Sequence, residues 1–363
     1  MKKVQLILFS LFLYGGLQAQ TTSEFKPSIK FKGLVHSRFE YSLTDSVDVS
    51  NKYAENPVQA NFRMRRIELR ADYQVSEKLS GVIRLQLPEL KGTSVGKVIE
   101  LAYGEYKMNN AFKVRFGQFK TPFELDELTS HEDLRMIDRG PTSVMFVNNS
   151  YSSYQPGLMV FGELLKDKTP LNYYLGVFNG SNRAVNNDVN TGKNIAGRIE
   201  FTPVKGLRIG VNGQLAPQSD SVSANAAGAD ISIIEDLSDK LNLIVEGEYI
   251  QGSNLSNFAL DTLGTDISEF NMSGYFGQAL LRIELEKKWC KTFEIGGKFE
   301  TTDPMTETDN NAFNTITGTI GFIFLPDNAA RLQFNIVHTE WEKEIPGALL
   351  NSDMFVTQLQ IKI

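Results

Sequence analysis

The sequence of 363 residues predicts an all-β protein, a transmembrane antiparallel β-barrel of about 16 strands with a long constriction loop that contains a short helix. Three observations lead to this prediction: an export leader, short segments of alternating polarity, and connections that are alternately short and long. Alternation with a period of two is typical of strands with one apolar and one polar face. In lipid every backbone N–H and C=O must be paired within the protein, which a closed barrel achieves.

The first 20 residues have the layout of a secretory signal peptide. Lys2 and Lys3 precede an apolar run that ends at Leu13, and small and polar residues follow up to Gln20. The run is shorter than the roughly 20 residues that span a bilayer, so an anchoring helix is the weaker alternative. We expect cleavage after Ala19 or Gln20 and one exported barrel domain, residues 21–363.

Apolar and polar residues alternate along most of the mature chain. In the segment 66–75 one parity is apolar from Ile67 to Val75, and the other parity carries Arg66 and Arg70. We expect the apolar parity to face lipid and the polar parity to face the lumen. The pattern predicts sixteen strands at 28–43, 60–75, 79–87, 97–108, 112–120, 156–165, 171–178, 193–202, 206–216, 229–236, 240–251, 271–286, 292–302, 313–325, 329–341 and 352–363.

The connections between these segments support a barrel. Every second connection is short, such as 76–78 and 203–205, whereas the others are longer and polar, up to the 35-residue segment 121–155. Tight periplasmic turns, long outer loops and an even strand count are typical of outer-membrane barrels. The alternative is a large secreted all-β protein with a dry core, which would have more continuous apolar strands and fewer inward charges.

Composition argues against several classes of function. The formal net charge is -6, from 37 basic and 43 acidic residues, which argues against a general nucleic-acid binder. Cys290 is the only cysteine, so neither an intramolecular disulfide nor a cysteine metal cluster is expected. His36, His131 and His338 leave little for a histidine metal centre. No nucleophile has a local signature, so we expect neither an enzyme nor a cofactor, although an outer-membrane hydrolase stays an alternative.

One segment carries a family resemblance. Residues 115–139 read RFGQFKTPFELDELTSHEDLRMIDR, with the motif Gly-Gln-Phe-Lys-x-Pro-Phe at 117–123 and Leu-Thr-Ser at 128–130. This segment resembles the phosphate-selective porin O/P family, and weaker matching pieces extend the resemblance over nearly the whole mature chain. The resemblance implies a trimeric sixteen-stranded porin that passes small anions through a basic constriction, with the loop 121–155 inside the barrel. The final residue, Ile363, departs from the aromatic residue that commonly ends such barrels.

Basic residues on the predicted lumen face are candidates for anion contact, because the arginine fork binds phosphate oxygens and stays charged. A capping box at 130–133 predicts a helix from about 131 to 138, which would place Arg135 and Arg139 on one face. The alternative is a lattice of ion pairs that stiffens the wall, with the loop arginines paired to Glu132, Asp133 and Asp138. The candidates are Arg66, Arg70, Arg84, Arg115, Lys120, Arg135 and Arg139.

These observations and the resemblance together predict a passive diffusion channel of a Gram-negative outer membrane. We expect contact with outer-membrane lipid, no nucleic-acid partner, a homotrimer, and a preference for small inorganic anions such as phosphate. Two alternatives use the same barrel. One is a general or cation-preferring porin, and the other is a sealed structural or adhesive barrel whose loop 121–155 closes the lumen.

Overall fold

The computed structural model describes residues 25–91, 95–165, 169–181, 188, 191–219, 222–285 and 287–363. The predicted signal peptide, residues 1–20, lies outside these ranges, so its cleavage stays a prediction. Among the described residues, no helix is both long and apolar enough to cross a membrane.

Sixteen antiparallel strands form one closed barrel in which each strand pairs with its sequence neighbours. The first and last strands also pair, with Leu34 opposite Lys362 and Ser42 opposite Met354, so the sheet has no free edge. The predicted fold is confirmed. The strands are β1 Ser28–Ser42, β2 Ala60–Gln74, β3 Leu79–Gln86, β4 Ile99–Lys107, β5 Lys113–Lys120, β6 Tyr154–Leu164, β7 Leu171–Phe178, β8 Asn194–Val204, β9 Leu207–Pro217, β10 Ser223–Ser238, β11 Leu241–Ser253, β12 Asn271–Glu284, β13 Thr292–Asp303, β14 Phe313–Leu325, β15 Ala330–Trp341 and β16 Ser352–Lys362.

Alternation along the strands separates an outer apolar surface from a buried interior. Phe31, Phe62 and Phe116 are 80%, 81% and 71% exposed on the outside of the barrel. Charged residues on the opposite parity, such as Arg38 and Glu40, are buried inside. This distribution is typical of outer-membrane barrels, in which outward apolar side chains face lipid and the lumen accommodates polar ones.

The tenth strand is longer than predicted. It begins at Ser223 rather than 229, and its first residues pair with β9, for example Ala226 with Gln214. These residues are mostly small, so the sequence shows little contrast of polarity there. Ala224 and Ala226 are buried against the aromatic residues of the long loop, for which their small side chains leave space.

The long loop, residues 121–153, folds inside the barrel and contains helices α1 (Leu125–Leu128) and α2 (Pro141–Asn148). The predicted helix from 131 to 138 is wrong: only a single 3₁₀ turn, His131–Asp133, forms there, and Ser130 makes no side-chain capping bond. A third helix, α3 (Leu255–Phe258), lies in an outer loop. Other 3₁₀ turns are Leu87–Leu90, Val95–Lys97, Ile267–Glu269 and Pro326–Asn328.

Candidate functional site

Side chains of the barrel wall hold the backbone of the long loop from several directions. Arg331 Nη1 donates to the carbonyl of Leu134 at 2.8 Å, and Arg38 Nη2 donates to the carbonyl of Ile137 at 2.8 Å. Within the predicted helix the carbonyl of Leu134 would accept the amide of Asp138, whereas the carbonyl of Ile137 would lie in the last turn, without an intrahelical donor. Because the wall supplies charged donors, which form stronger bonds than neutral ones, these carbonyls are satisfied without a helix, and residues 134–140 are irregular.

The other end of the loop is fixed to β11 and β13. The Glu248 carboxylate accepts the amide of Leu125 at 2.5 Å and that of Asp126 at 3.2 Å. Lys298 Nζ lies 2.9 Å from the Asp126 carboxylate, which is buried as well. Since Arg38 and Arg331 lie on β1 and β15, the loop is anchored on separate parts of the wall and extends across the lumen.

An aromatic cluster completes the attachment. Phe123, Phe146 and Tyr151 of the loop are fully buried, with ring centroids 5.8–6.2 Å apart. Burial of rings this large contributes on the order of 2 kcal/mol each. The hydroxyl of Tyr151 donates to the carbonyl of Ser253 at 3.0 Å, so its polar end is also satisfied. The loop is therefore part of the folded interior of the barrel.

Three arginines of β1 and β2 converge on one loop carboxylate. Asp138 lies 2.6 Å from Arg38, 3.1 Å from Arg66 and 3.3 Å from Arg65. Burial disfavours the charged form of Asp138, but the three guanidiniums outweigh burial and hold its pKa well below the ordinary value. The carboxylate therefore stays ionised as an internal counter-ion of the arginine cluster.

A β-bulge in β2 brings additional cations to this cluster. His36 pairs with Arg66 while Ser37 pairs with Met64, so Arg65 is the extra residue. The bulge shifts the phase of the strand, and Arg63, now opposite Arg38, reaches Glu40 at 2.8 Å. Sequence reasoning missed Arg63 and Arg65. The run of three cations within four residues, which breaks the alternation, is the signal that marks the bulge.

Three of the seven predicted site residues form ion pairs that hold the loop in position. Arg66 pairs with Asp138, and Arg135 forms two contacts with Glu246, at 3.1 and 3.3 Å. Arg139 pairs with Glu127 at 2.8 Å and donates to loop carbonyls. Arg135 and Arg139 do not share a helix face, and their partners differ from the acids that the sequence suggested.

The other four predicted residues line one cavity, which we call the basic cavity. Its volume is about 360 Å³, and it lies on the short-turn side of the loop, between the loop and the wall formed by β2 to β9. Among the described residues that line it, Glu200 is the only carboxylate. The cationic side chains that line it are Arg70, Arg84, Arg115, Lys120, Arg198 and Arg208.

Most of these cations have acidic partners that lie outside the lining of the cavity. Arg70 pairs with Asp72 at 2.6 Å and Arg115 with Glu105 at 2.8 Å. Arg84 pairs with Glu100 at 2.9 Å, and Arg198 binds both oxygens of Asp230. Lys120 Nζ lies 3.7 Å from the Glu127 carboxylate and donates to the carbonyls of Glu127 and Thr129. The ion pairs fix the cations, and the surface towards the cavity remains predominantly basic.

A second cavity of about 370 Å³ lies on the long-loop side and has a balanced charge. Its basic lining residues are Arg65, Arg66, Lys97 and Arg139, and its acidic ones are Glu89, Glu100, Glu127 and Asp138. Tyr154 lines both this outer cavity and the basic cavity. The Tyr154 hydroxyl accepts a hydrogen bond from Arg84, so this contact belongs to the barrier between the two cavities.

One cluster contains three groups of types that bind metals. Donor atoms of Glu68, Glu100 and His131 lie within 4.8 Å of one another. Arg84, however, already pairs with both glutamates. Burial and then the neighbouring charge of Arg66 lower the pKa of His131 well below its ordinary value, which shows a positive environment. Such an environment disfavours a divalent cation, so we assign no metal to this cluster.

Comparison with known families identifies a relation that covers more than half of the chain. The profile of the family described as phosphate-selective porin O and P matches residues 37–251. This range includes the last six residues of β1, all of β2 to β10, almost all of β11 and the entire long loop. No curated protein matches the sequence.

Solved structures of porins share the fold. The anion-selective porin from Comamonas acidovorans is 10% identical, with a TM-score of 0.59 over 93% of this chain and 100% of that one. The outer membrane channel DcaP of Acinetobacter baumannii is 13% identical, with a TM-score of 0.57 over 95% and 100% of the two chains. The trimer form of OmpT from Vibrio cholerae is 9% identical, with a TM-score of 0.56 over 93% and 100%.

Proposed function

Since the chain belongs to the phosphate-selective porin O and P family and folds as a sixteen-stranded barrel, it is an outer-membrane porin, and we propose that it prefers small inorganic anions such as phosphate. The family and fold are those of a channel rather than an enzyme. Solutes would cross by passive diffusion past the long loop. Selectivity in such a pore depends on the charges at its narrow region more than on the net charge of the protein.

The basic cavity is the observation that carries this proposal. Six cations and one carboxylate of the described part of the chain line it, although acidic residues outnumber basic ones in the sequence, 43 to 37. A water-filled space with walls of one charge sign concentrates counter-ions. Phosphate also suits arginine, because a guanidinium group donates two parallel hydrogen bonds to its oxygens.

We assign two roles to the seven predicted residues. Arg70, Arg84, Arg115 and Lys120 would contact the passing anion, because they line the basic cavity. The remaining three, Arg66, Arg135 and Arg139, would hold the loop in position through Asp138, Glu246 and Glu127. The outer cavity, with its balanced charge, would admit ions of both signs and leave discrimination to the basic cavity.

The test is the zero-current potential of the purified protein in a planar bilayer under a KCl gradient, followed by addition of phosphate. We expect a potential of the anion-selective sign and a reduction of chloride current by phosphate. Arg70→Gln and Arg208→Gln should each shift the potential towards zero. Both side chains are about one-third exposed, so neutralising them should leave the barrel folded.

Lys343→Gln is the matched control, because it removes one positive charge from an exposed outer loop that does not line the basic cavity. The control should leave the potential unchanged. A potential of the cation-selective sign would contradict the proposed anion preference and favour the cation-preferring alternative. Absence of conductance would instead favour a sealed structural or adhesive barrel.

We further propose that the channel is a homotrimer with a cleaved leader. The family resemblance supports the trimer, as does the description of one similar OmpT structure as a trimer form. The Lys-Lys and apolar layout of residues 2–13 supports the leader. Native mass spectrometry of the protein extracted from outer membranes tests both, since the mass of a trimer of residues 20–363 or 21–363 would be measured directly. A monomer or an uncleaved amino terminus would contradict the respective proposal.

A further inference from the structure

An apolar wall faces the lumen beside the basic cavity, where alternation predicts polar residues. The register shows its orientation: Leu101 lies opposite lumen-facing Arg84, and Met159 lies opposite Arg115. The strands β4 to β7 therefore carry apolar side chains on their inner face as well as on the face towards lipid. We call this surface the aromatic lumen wall, formed by Leu101, Tyr103, Phe119, Met159, Phe161 and Tyr174.

Cationic groups lie directly over rings of this wall. The Arg115 guanidinium is 4.4 Å from the ring centroid of Tyr103 and 4.8 Å from that of Phe161. Arg84 and Lys120 each lie 5.4 Å from the ring of Tyr154, which belongs to the same apolar cluster and adjoins the wall. Cation–π attraction of this kind fixes the positive groups next to an apolar surface. The cavity thus offers charge and a flat apolar surface within one enclosed space.

An inorganic anion would use only part of this site. Phosphate needs donors, which the cations supply, and it gains nothing from aromatic or aliphatic side chains. The volume of about 360 Å³ also lies within the range of roughly 300–1,000 Å³ that is typical of pockets for small organic ligands. Leu101, Phe119 and Met159 are buried in one cluster, whereas Tyr103 and Tyr174 are only half-buried. A ligand with an apolar body would cover the surface that these two rings leave open to the cavity.

We propose that the basic cavity binds organic anions with a flat apolar body, the class of aromatic carboxylates and aryl phosphates, and that it binds them more tightly than inorganic phosphate. The anionic group would lie between Arg84, Arg115 and Lys120, and the ring would contact the aromatic lumen wall. Guanidinium planes stack on rings as well as pairing with carboxylates, so Arg115 suits both ends of such a ligand. This inference rests on the anion preference proposed above and names a second substrate class for the same cavity.

The test compares two ligands that share a head group. Inhibition of the KCl current in a planar bilayer is measured as a function of added phenylphosphate and, separately, of inorganic phosphate. We expect phenylphosphate to inhibit at a roughly ten-fold lower concentration, since partial burial of a phenyl ring accounts for a change of that size. Equal inhibitory concentrations would overturn the proposal.

Two variants locate the apolar contact. Tyr103→Ser removes a half-buried ring of the wall, and Leu128→Gln changes the loop side of the same cavity without altering the wall. Each should reduce the advantage of phenylphosphate by about three- to ten-fold, and Leu128→Gln, which leaves the ring beside Arg115 in place, should leave inhibition by inorganic phosphate unchanged. Unchanged inhibition by phosphate also reports that the variant has folded with an intact cationic site. The matched control is Tyr249→Ser, which removes a tyrosine exposed on the lipid side.

The outcomes separate this inference from the proposed function. If both variants retain the full advantage of phenylphosphate, the ring does not contact the cavity wall and the inference fails, whatever the selectivity for chloride. If the KCl gradient gives a cation-selective potential, the proposed preference fails. In that case the inference about organic anions also fails only if phenylphosphate and phosphate inhibit the current at equal concentrations.

Discussion

Asp138 Oδ1 accepts a hydrogen bond from Nη2 of Arg66 at 3.1 Å, while Oδ2 of the same carboxylate accepts from Nη1 of Arg38 at 2.6 Å. A carboxylate of the protein thus occupies the position that an external anion would take in this arginine cluster. The long loop supplies the carboxylate and the barrel supplies the arginines. The arginines therefore hold the loop in position, and the loop in turn neutralises part of the positive charge in the lumen.

Replacing this carboxylate should increase anion preference. Asp138→Asn removes one negative charge, so Arg65 and Arg66 lose the carboxylate with which they pair, whereas Arg38 keeps Glu40 at 3.5 Å. One unit charge at ~4 Å in water changes the energy of an ion by about 1 kcal/mol, so the anion-to-cation permeability ratio should rise roughly two- to five-fold. Zero-current potentials under a KCl gradient measure the change. Asp261→Asn, in an exposed outer loop, serves as the control. An unchanged permeability ratio in Asp138→Asn would mean that ions do not pass the arginine cluster.

The pair of Arg135 and Glu246 should matter for stability more than for selectivity. Both side chains are mostly buried, and truncating one partner of a buried pair costs roughly 3–5 kcal/mol because the other charge is left unpaired. Arg135→Ala should therefore lower the unfolding temperature of the barrel strongly. Adding Glu246→Gln should recover part of the loss, since it removes the orphaned charge. A double-mutant cycle on unfolding temperature tests this coupling, and additive effects would contradict it.

Glu124 should make stability fall as pH rises. Its carboxyl group is fully buried, and burial together with the nearby Glu248 carboxylate raises its pKa well above the ordinary value. A raised pKa in the folded state means that folded Glu124 keeps its proton at pH values where the unfolded chain has lost it. The contribution of Glu124 to the free energy of unfolding is therefore fully present below the unfolded pKa of about 4.3 and declines as the pH rises above it. Glu124→Gln keeps an acceptor for the hydroxyl of Ser143, which donates at 2.6 Å, and removes the titration.

Unfolding temperatures at about pH 5 and pH 8 test this prediction. The difference between the two temperatures should be smaller in Glu124→Gln than in the unaltered protein. Glu340→Gln, at an exposed position near the end of β15, is the control. An identical pH dependence in all three proteins would show that Glu124 is ionised over the whole range.

The start of α2 depends on the absence of a side chain at Gly140. A Cβ there would lie 1.6 Å from a carboxylate oxygen of Glu300. This carboxylate cannot move freely, because it accepts the amide of Thr142 at 2.8 Å and pairs with Lys298 at 2.9 Å. Gly140→Ala should destabilise the folded loop by roughly 1–3 kcal/mol, and increased fluctuations in single-channel current should reveal it. Gly318→Ala, where a Cβ meets nothing within 4 Å, is the control and should behave like the unaltered protein.

The strands were predictable because each needs only a local pattern. Alternation in β2 and β13 and short turns between alternate strands are properties of neighbouring residues, and the observed bounds follow them within a few residues. The start of β10 was missed because Ala224 and Ala226 carry no contrast of polarity. The bulge at Arg65 was missed because it depends on pairing with β1, which is not encoded in β2 alone.

The candidate site was predictable as a set of residue types and not as an arrangement. Arg70, Arg84, Arg115 and Lys120 meet in one cavity, whereas Arg135 binds Glu246, a residue 111 positions away. The distance along the chain gives no indication of that partner. The apolar residues Phe119 and Met159 also face inward, and the alternation of their strands alone does not decide which face meets lipid when both are partly apolar.

By itself, the sequence determined the barrel: strand number, strand order and outward apolar surface follow from period-two polarity and from the need to pair every backbone group in lipid. The tertiary structure alone decided which charges remain available to a solute. A closed barrel brings residues far apart in sequence within hydrogen-bond distance, and Coulomb energy depends on those distances. The same arginine type therefore holds the loop at Arg66 and lines the basic cavity at Arg84.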